Sequence, residues 1–119
     1  MAKKRYGLEI IVDLHGCNIN KFKRKSLDVF FSDLCEMSKM TAVGKPKYWL
    51  ETSNEPHLKG YSGIQFIKTS NILIHTLDLT NSAYINFFSC KSFNVKQVIK
   101  FIQDYFEAED VKYTVIDRI

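Results

Sequence analysis

The sequence predicts an α/β (α+β) two-layer sandwich, a largely antiparallel sheet with two helices on one face. Three observations carry that prediction. Between Ser62 and Cys90, three apolar, β-branched or aromatic runs (Ile64–Ile67, Ile72–Ile74 and Ala83–Phe88) are parted by short polar breaks, the pattern of adjacent strands. Two other stretches each carry one apolar stripe at helical spacing, and alternating segments lie near both ends of the chain. The resulting order is strand, helix, several strands, helix, strand. Helices on a single face of the sheet would cover every stripe at once. Periodicity does not give the order of the strands within the sheet.

Taken in order, Tyr6 to Leu14 sets Leu8, Ile10, Val12 and Leu14 on one face and Gly7, Glu9, Ile11 and Asp13 on the other, a half-buried strand that His15-Gly16-Cys17-Asn18 ends. Ser26 to Met40 brings Leu27, Phe30, Phe31, Leu34, Cys35 and Met37 or Ser38 to one helical stripe, with Ser26 or Asn20 as its expected cap. Val43-Gly44-Lys45-Pro46 is expected to break the chain there, because proline cannot continue a helix. Lys47 to Thr52 reads as a second strand and Ser53 to Gly60 as a loop. After the three central runs, Asn94 offers a cap for a helix from Val95 to Phe106, with Val98, Ile99, Ile102, Phe106 and, at its edge, Tyr105 on the stripe. Lys112 to Ile116 is a last alternating strand.

The 119 residues suit a single domain with one core. No apolar run approaches ~20 residues, so no membrane span is expected, and the basic start of the chain is no signal peptide. The net charge of +4 and the cluster Lys21-Phe22-Lys23-Arg24-Lys25 come with no nucleic-acid motif; a solvated helix start accounts for them, and no nucleic-acid partner is expected. Cys17, Cys35 and Cys90 are odd in number and lack metal spacing, as do His15, His57 and His75. Reduced thiols in a cytoplasmic protein, and no metal, are the expectation.

The central stretch holds a hydroxyl, an imidazole and a thiol: Ser70 within Thr69-Ser70-Asn71, His75 five residues on, and Cys90 twenty residues after Ser70. These groups serve acyl and proton transfer. Each also has a structural reading. Ser62 beside Gly63 suits a turn, Ser70 a hairpin, His75 a strand interior, and Cys90 the end of an apolar strand.

Their combination resembles the short prokaryotic (bacterial and archaeal) type of S-adenosylmethionine decarboxylase, a pyruvoyl enzyme made as a self-cleaving proenzyme. The resemblance rests on Gly60-Tyr61-Ser62-Gly63, on Thr69-Ser70-Asn71-Ile72-Leu73-Ile74-His75-Thr76 and on Asn86-Phe87-Phe88-Ser89-Cys90, whose serine, serine, histidine and cysteine keep the family's intervals without a gap. Gly7 and Asp13-Leu14-His15-Gly16-Cys17 are similar to the family's first strand, so the resemblance spans nearly the whole chain.

It implies self-cleavage between Thr69 and Ser70 into residues 1–69 and 70–119. Ser70 would be the precursor of a covalent pyruvoyl group that forms a Schiff base with the substrate. Ser62 would support processing, His75 would accept the α-proton of residue 70, and Cys90 would reprotonate the product carbon. The implied activity is decarboxylation of S-adenosylmethionine for spermidine biosynthesis, by a homodimer of processed protomers with sites near the interface. The chain departs from the family at Thr69 and Asn71 (usually glutamate and histidine), at Leu77-Asp78-Leu79 and Pro56-His57 (where groups that hold the adenosyl moiety usually stand), and at Asn86. Asp78, His57 and Tyr61 are the nearest substitutes for substrate binding. Two other readings stay open: a pyruvoyl decarboxylase of a basic amino acid such as ornithine or arginine, and a non-catalytic binding or regulatory subunit.

Overall fold

The computed structural model describes residues 4–119. Six strands, β1 (Gly7–His15), β2 (Ala42–Glu51), β3 (Gly60–Ile67), β4 (Ser70–Leu77), β5 (Ser82–Ser89) and β6 (Asp110–Arg118), form one sheet in the order β2-β3-β4-β5-β1-β6. Every neighbouring pair is antiparallel. Helices α1 (Arg24–Met37) and α2 (Val95–Phe106) pack on one face, the predicted two-layer arrangement. The run β3-β4-β5 is a meander because each connection is too short to do anything but reverse; only Lys68 and Thr69 separate β3 from β4.

Alternation along β1, β4 and β5 sends Ile10, Val12, Leu14, Ile72, Ile74, Ala83, Ile85 and Phe87 into the core. The helices answer with Leu27, Phe30, Phe31 and Leu34 from α1 and with Val98, Ile99, Ile102 and Phe106 from α2. Phe30 is the hub: it has no exposed surface, and its ring lies 4.8–6.2 Å from those of Phe31, Phe101, Tyr105 and Phe106. Burial of each such ring stabilises the fold by about 1.5–3 kcal/mol.

Helix α2 starts as expected, the Asn94 side chain accepting from Gln97 N at 3.0 Å. Helix α1 differs from expectation at both ends. It begins at Arg24, and its N-cap, Lys23, makes no side-chain cap bond; neither Ser26 nor Asn20 caps it. Asn18 instead caps a short 3-10 turn, Ile19–Phe22, that leads in. At its far end α1 stops at Met37, three residues short of Met40, because Lys39 enters the left-handed region at φ 59° and the Met40 amide closes back on the Cys35 carbonyl.

That reversal plants the Met40 side chain in the core and starts β2 at once. Val43 to Pro46 therefore lies within β2 rather than between elements. The break expected there is a register irregularity between Val43 and Lys47, with Gly44 at φ 68°. Pro46 is tolerated because β2 is an edge strand and the irregularity asks for no ladder bond from it.

Candidate functional site

Among the described residues, no helix covers the second face of the sheet. Ser62 and Gly63 lie inside β3 and not in a turn. The β3–β4 register sets Ser62 opposite His75, and Ser62 Oγ lies 2.9 Å from His75 Nδ1. Both side chains alternate away from the core-facing Ile72, Ile74 and Thr76, so this half-buried pair sits on the bare face. A serine hydroxyl both donates and accepts, so this contact is open to either tautomer of the ring. When Nδ1–H donates to Ser62, Nε2 is left as a proton acceptor.

The second cluster forms where the β3–β4 hairpin turns. Ser70 is the first residue of β4 and pairs with Ser89, the last of β5. The Cys90 backbone amide donates to the Thr69 carbonyl at 2.9 Å, and Asn71 Nδ2 donates to Ser70 Oγ at 3.2 Å. The Thr69 and Ser89 hydroxyls meet at 2.8 Å beside Met40 Sδ. Cys90 itself is exposed and is not the small core hydrophobe that its place after an apolar strand suggests. Gly7 fits this corner for lack of a side chain: a Cβ there would lie 2.7 Å from the Ser89 carbonyl oxygen and 3.1 Å from Cys90 Cα.

One chain thus brings together Ser62 with His75, and Thr69, Ser70 and Asn71 with Ser89 and Cys90, but not the two sets with each other. Ser70 and His75 are five positions apart on one extended strand, roughly 16 Å at about 3.3 Å per residue. The expected grouping of Asp78, His57 and Tyr61 beside this site is also not found within a chain. Tyr61 and Asp78 line a cavity of about 550 Å³ on the helix side, with Phe22, Arg24, Leu50 and Lys59. Burial raises the Asp78 carboxyl above its ordinary range, partly offset by Lys59. His57 is exposed in the loop before β3.

Sequence reasoning passed over two residues. Trp49 stands opposite Ser62 on β2, 69% exposed, at an open depression of about 340 Å³ shared with Ile64 and Leu73. Ser89 is fully buried yet bonded to the residue before Ser70. Neither register is written in the local pattern. Cys17 and Cys35 are free and buried; burial pushes the Cys17 thiol up to about 11 and raises Cys35 likewise, so neither thiol is an available nucleophile at neutral pH. Among the described residues, no group of three or more His, Cys, Asp or Glu is placed to hold a metal ion, and no helix is long and apolar enough to cross a membrane.

A six-stranded antiparallel sheet with both helices on one side defines a class of two-layer fold that has been solved before. The crystal structure of the adenosylmethionine decarboxylase from Aquifex aeolicus VF5 superposes with a TM-score of 0.82 at 19% identity, over 98% of this chain and 92% of that one. The family model described as S-adenosylmethionine decarboxylase matches residues 8–119. This chain belongs to the S-adenosylmethionine decarboxylase family, and by that membership is a decarboxylase. Two similar relatives, both S-adenosylmethionine decarboxylase proenzymes of Clostridium botulinum, come from strain Loch Maree (25% identical over 103 residues) and strain Hall (24% over 102). In each case the match spans 85% of this chain and 84% of the relative.

Proposed function

We propose that this chain cleaves itself between Thr69 and Ser70, converts Ser70 to a pyruvoyl group, and decarboxylates S-adenosylmethionine as a cytoplasmic homodimer that supplies spermidine biosynthesis. The observation that carries the reading is the Thr69 carbonyl, held by the Cys90 amide beside the hydroxyl of Ser70. Ser70 Oγ attacks the Thr69 carbonyl carbon, and its proton passes to the departing amide nitrogen as the C–N bond breaks, leaving an ester. The Cys90 N–H stabilises the charge that grows on the carbonyl oxygen. A base next removes the α-proton of residue 70, and the Cβ–Oγ bond breaks to release Thr69 as a carboxylate. The remaining enamine takes up water and releases ammonia, leaving a chain that starts with a ketone.

A serine at a hairpin turn, with a polarised carbonyl before it and an exposed thiol next to its strand partner, fits the making of a pyruvoyl group. That group supplies an electrophile for the substrate amine and a sink for the electrons released with carbon dioxide. Cys90 delivers the proton to the product carbon.

His75 is the base, in the tautomer whose Nδ1–H donates to Ser62 and whose Nε2 takes the proton. The distance along β4 supports a His75 supplied by a second copy. The bare face, with Trp49, Phe66, Leu73 and Tyr84 exposed, offers the apolar surface on which a two-fold pair would bury itself and bring one chain's Ser62 and His75 to the other's Ser70. Trp49, beside Ser62, gives that same face an aromatic ring for the adenosyl group.

Intact mass of the purified protein tests the first step: two fragments, 1–69 and 70–119, are expected, and Ser70→Ala stays whole. Carbon dioxide release from S-adenosylmethionine, ornithine, arginine and lysine, measured side by side on processed protein, tests the second. A preference for any of the three amino acids overturns the substrate assignment.

A further inference from the structure

We propose that Ser89 is a positioning residue for self-cleavage, acting through the side chain of Thr69. The inference rests on the processing reading above and adds a residue to it. Ser89 has no exposed surface, and its hydroxyl is the middle of a hydrogen-bonded chain. The Lys91 amide donates to Ser89 Oγ at 3.0 Å, Ser89 Oγ donates to Thr69 Oγ1 at 2.8 Å, and Thr69 Oγ1 donates to Met40 Sδ at 3.4 Å. Ser89 Oγ also lies 3.6 Å from Met40 Sδ, but the 2.8 Å contact to Thr69 is much the shorter, and neither hydroxyl is left unsatisfied.

The consequence lies at the scissile bond. Thr69 is in a two-residue turn, where backbone torsions are otherwise free to vary, yet its side chain is tied to the end of β5 and its carbonyl to the next amide along, that of Cys90. Two bonds, from Ser89 at the end of β5 and from Cys90 just after it, hold Thr69 and fix the carbonyl that Ser70 must attack. Removing the hydroxyl at either partner frees the side chain, and the carbonyl spends less time on the Cys90 amide. This tether does not touch the reacting atoms, so it acts on cleavage and not on the later decarboxylation.

The test is a time course of cleavage by intact mass, started from freshly synthesised chain, for wild type, Ser89→Ala, Ser89→Thr, Thr69→Val and the double variant Ser89→Ala/Thr69→Val. The melting temperature of each substitution is measured in the uncleavable Ser70→Ala background. Ser89→Ala and Thr69→Val should each slow cleavage by about tenfold, the worth of one well-formed hydrogen bond, and the double variant should be no slower than either alone. Ser89→Thr, which keeps the hydroxyl, should restore most of the rate. Once cleaved, Ser89→Ala should release carbon dioxide at the wild-type rate. Wild-type cleavage rates in both single variants overturn the proposal. So does slowing in Ser89→Ala that Ser89→Thr does not restore, or slowing that merely follows a fall in melting temperature. A wild-type chain that stays intact overturns the processing reading itself, a result distinct from all of these.

Discussion

If the site is completed across two chains, a chain lacking His75 and a chain lacking Ser70 should repair one another. The geometry sets the expectation. His75 and Ser70 of one chain are roughly 16 Å apart along β4, whereas proton transfer requires heavy atoms within about 2.6–3.2 Å. His75→Ala alone should therefore stay uncleaved, because both sites of its dimer lack the base. Ser70→Ala alone should stay uncleaved for want of the nucleophile. In a mixed dimer, one of the two sites draws Ser70 from the His75→Ala chain and His75 from the Ser70→Ala chain, and is whole. Co-expressed in equal amounts, about half of the His75→Ala chains should fall in mixed dimers and be cleaved, as random pairing requires, while the Ser70→Ala chains remain intact. Different affinity tags let mass spectrometry read each chain separately. Cleavage of His75→Ala expressed alone, or no cleavage after co-expression although mixed dimers are recovered, would refute the reasoning.

Three further outcomes are expected. Cys90→Ala keeps the backbone amide that holds the Thr69 carbonyl, so it should still cleave, while carbon dioxide release by the processed protein falls ~10²–10⁴-fold; unchanged turnover removes Cys90 from proton donation. Phe30→Ala empties the centre of the aromatic cluster and should lower unfolding free energy by about 3–5 kcal/mol in a denaturant titration, and a loss below ~1 kcal/mol would deny Phe30 its central place. Burial holds the Cys17 thiol neutral to about pH 11, against 9.0 for a free thiol, so the folded state keeps its proton longer than the unfolded one. That contribution is complete below pH 9 and is lost as pH rises through 11, by up to about 2–3 kcal/mol; Cys17→Ala should flatten this part of the stability profile, and an unaltered slope would show that another group sets it.

Much of the fold follows from the sequence alone, because its causes are local. The alternation of Leu8, Ile10, Val12 and Leu14 makes β1 a half-buried strand in any partner's company, and Asn94 caps α2 through a bond that spans three residues. The reversal between Ile67 and Ser70 likewise needs only the short break that the chain shows. Resemblance to the family singled out Ser62, Ser70, His75 and Cys90, but their mutual positions depend on register, which is fixed by packing between segments distant in sequence. Ser62 meets His75 because the apolar faces of β3 and β4 must both turn toward the helices, and a one-residue slip would reverse both. Tertiary structure alone put β1 between β5 and β6, ended α1 at Met37 and reversed the chain at Lys39 so that Met40 reaches the hairpin, and hung Thr69 on Ser89 and the Cys90 amide. Only it, too, separated the histidine from the serine on one chain, since five residues look adjacent on a page and span roughly 16 Å in an extended strand.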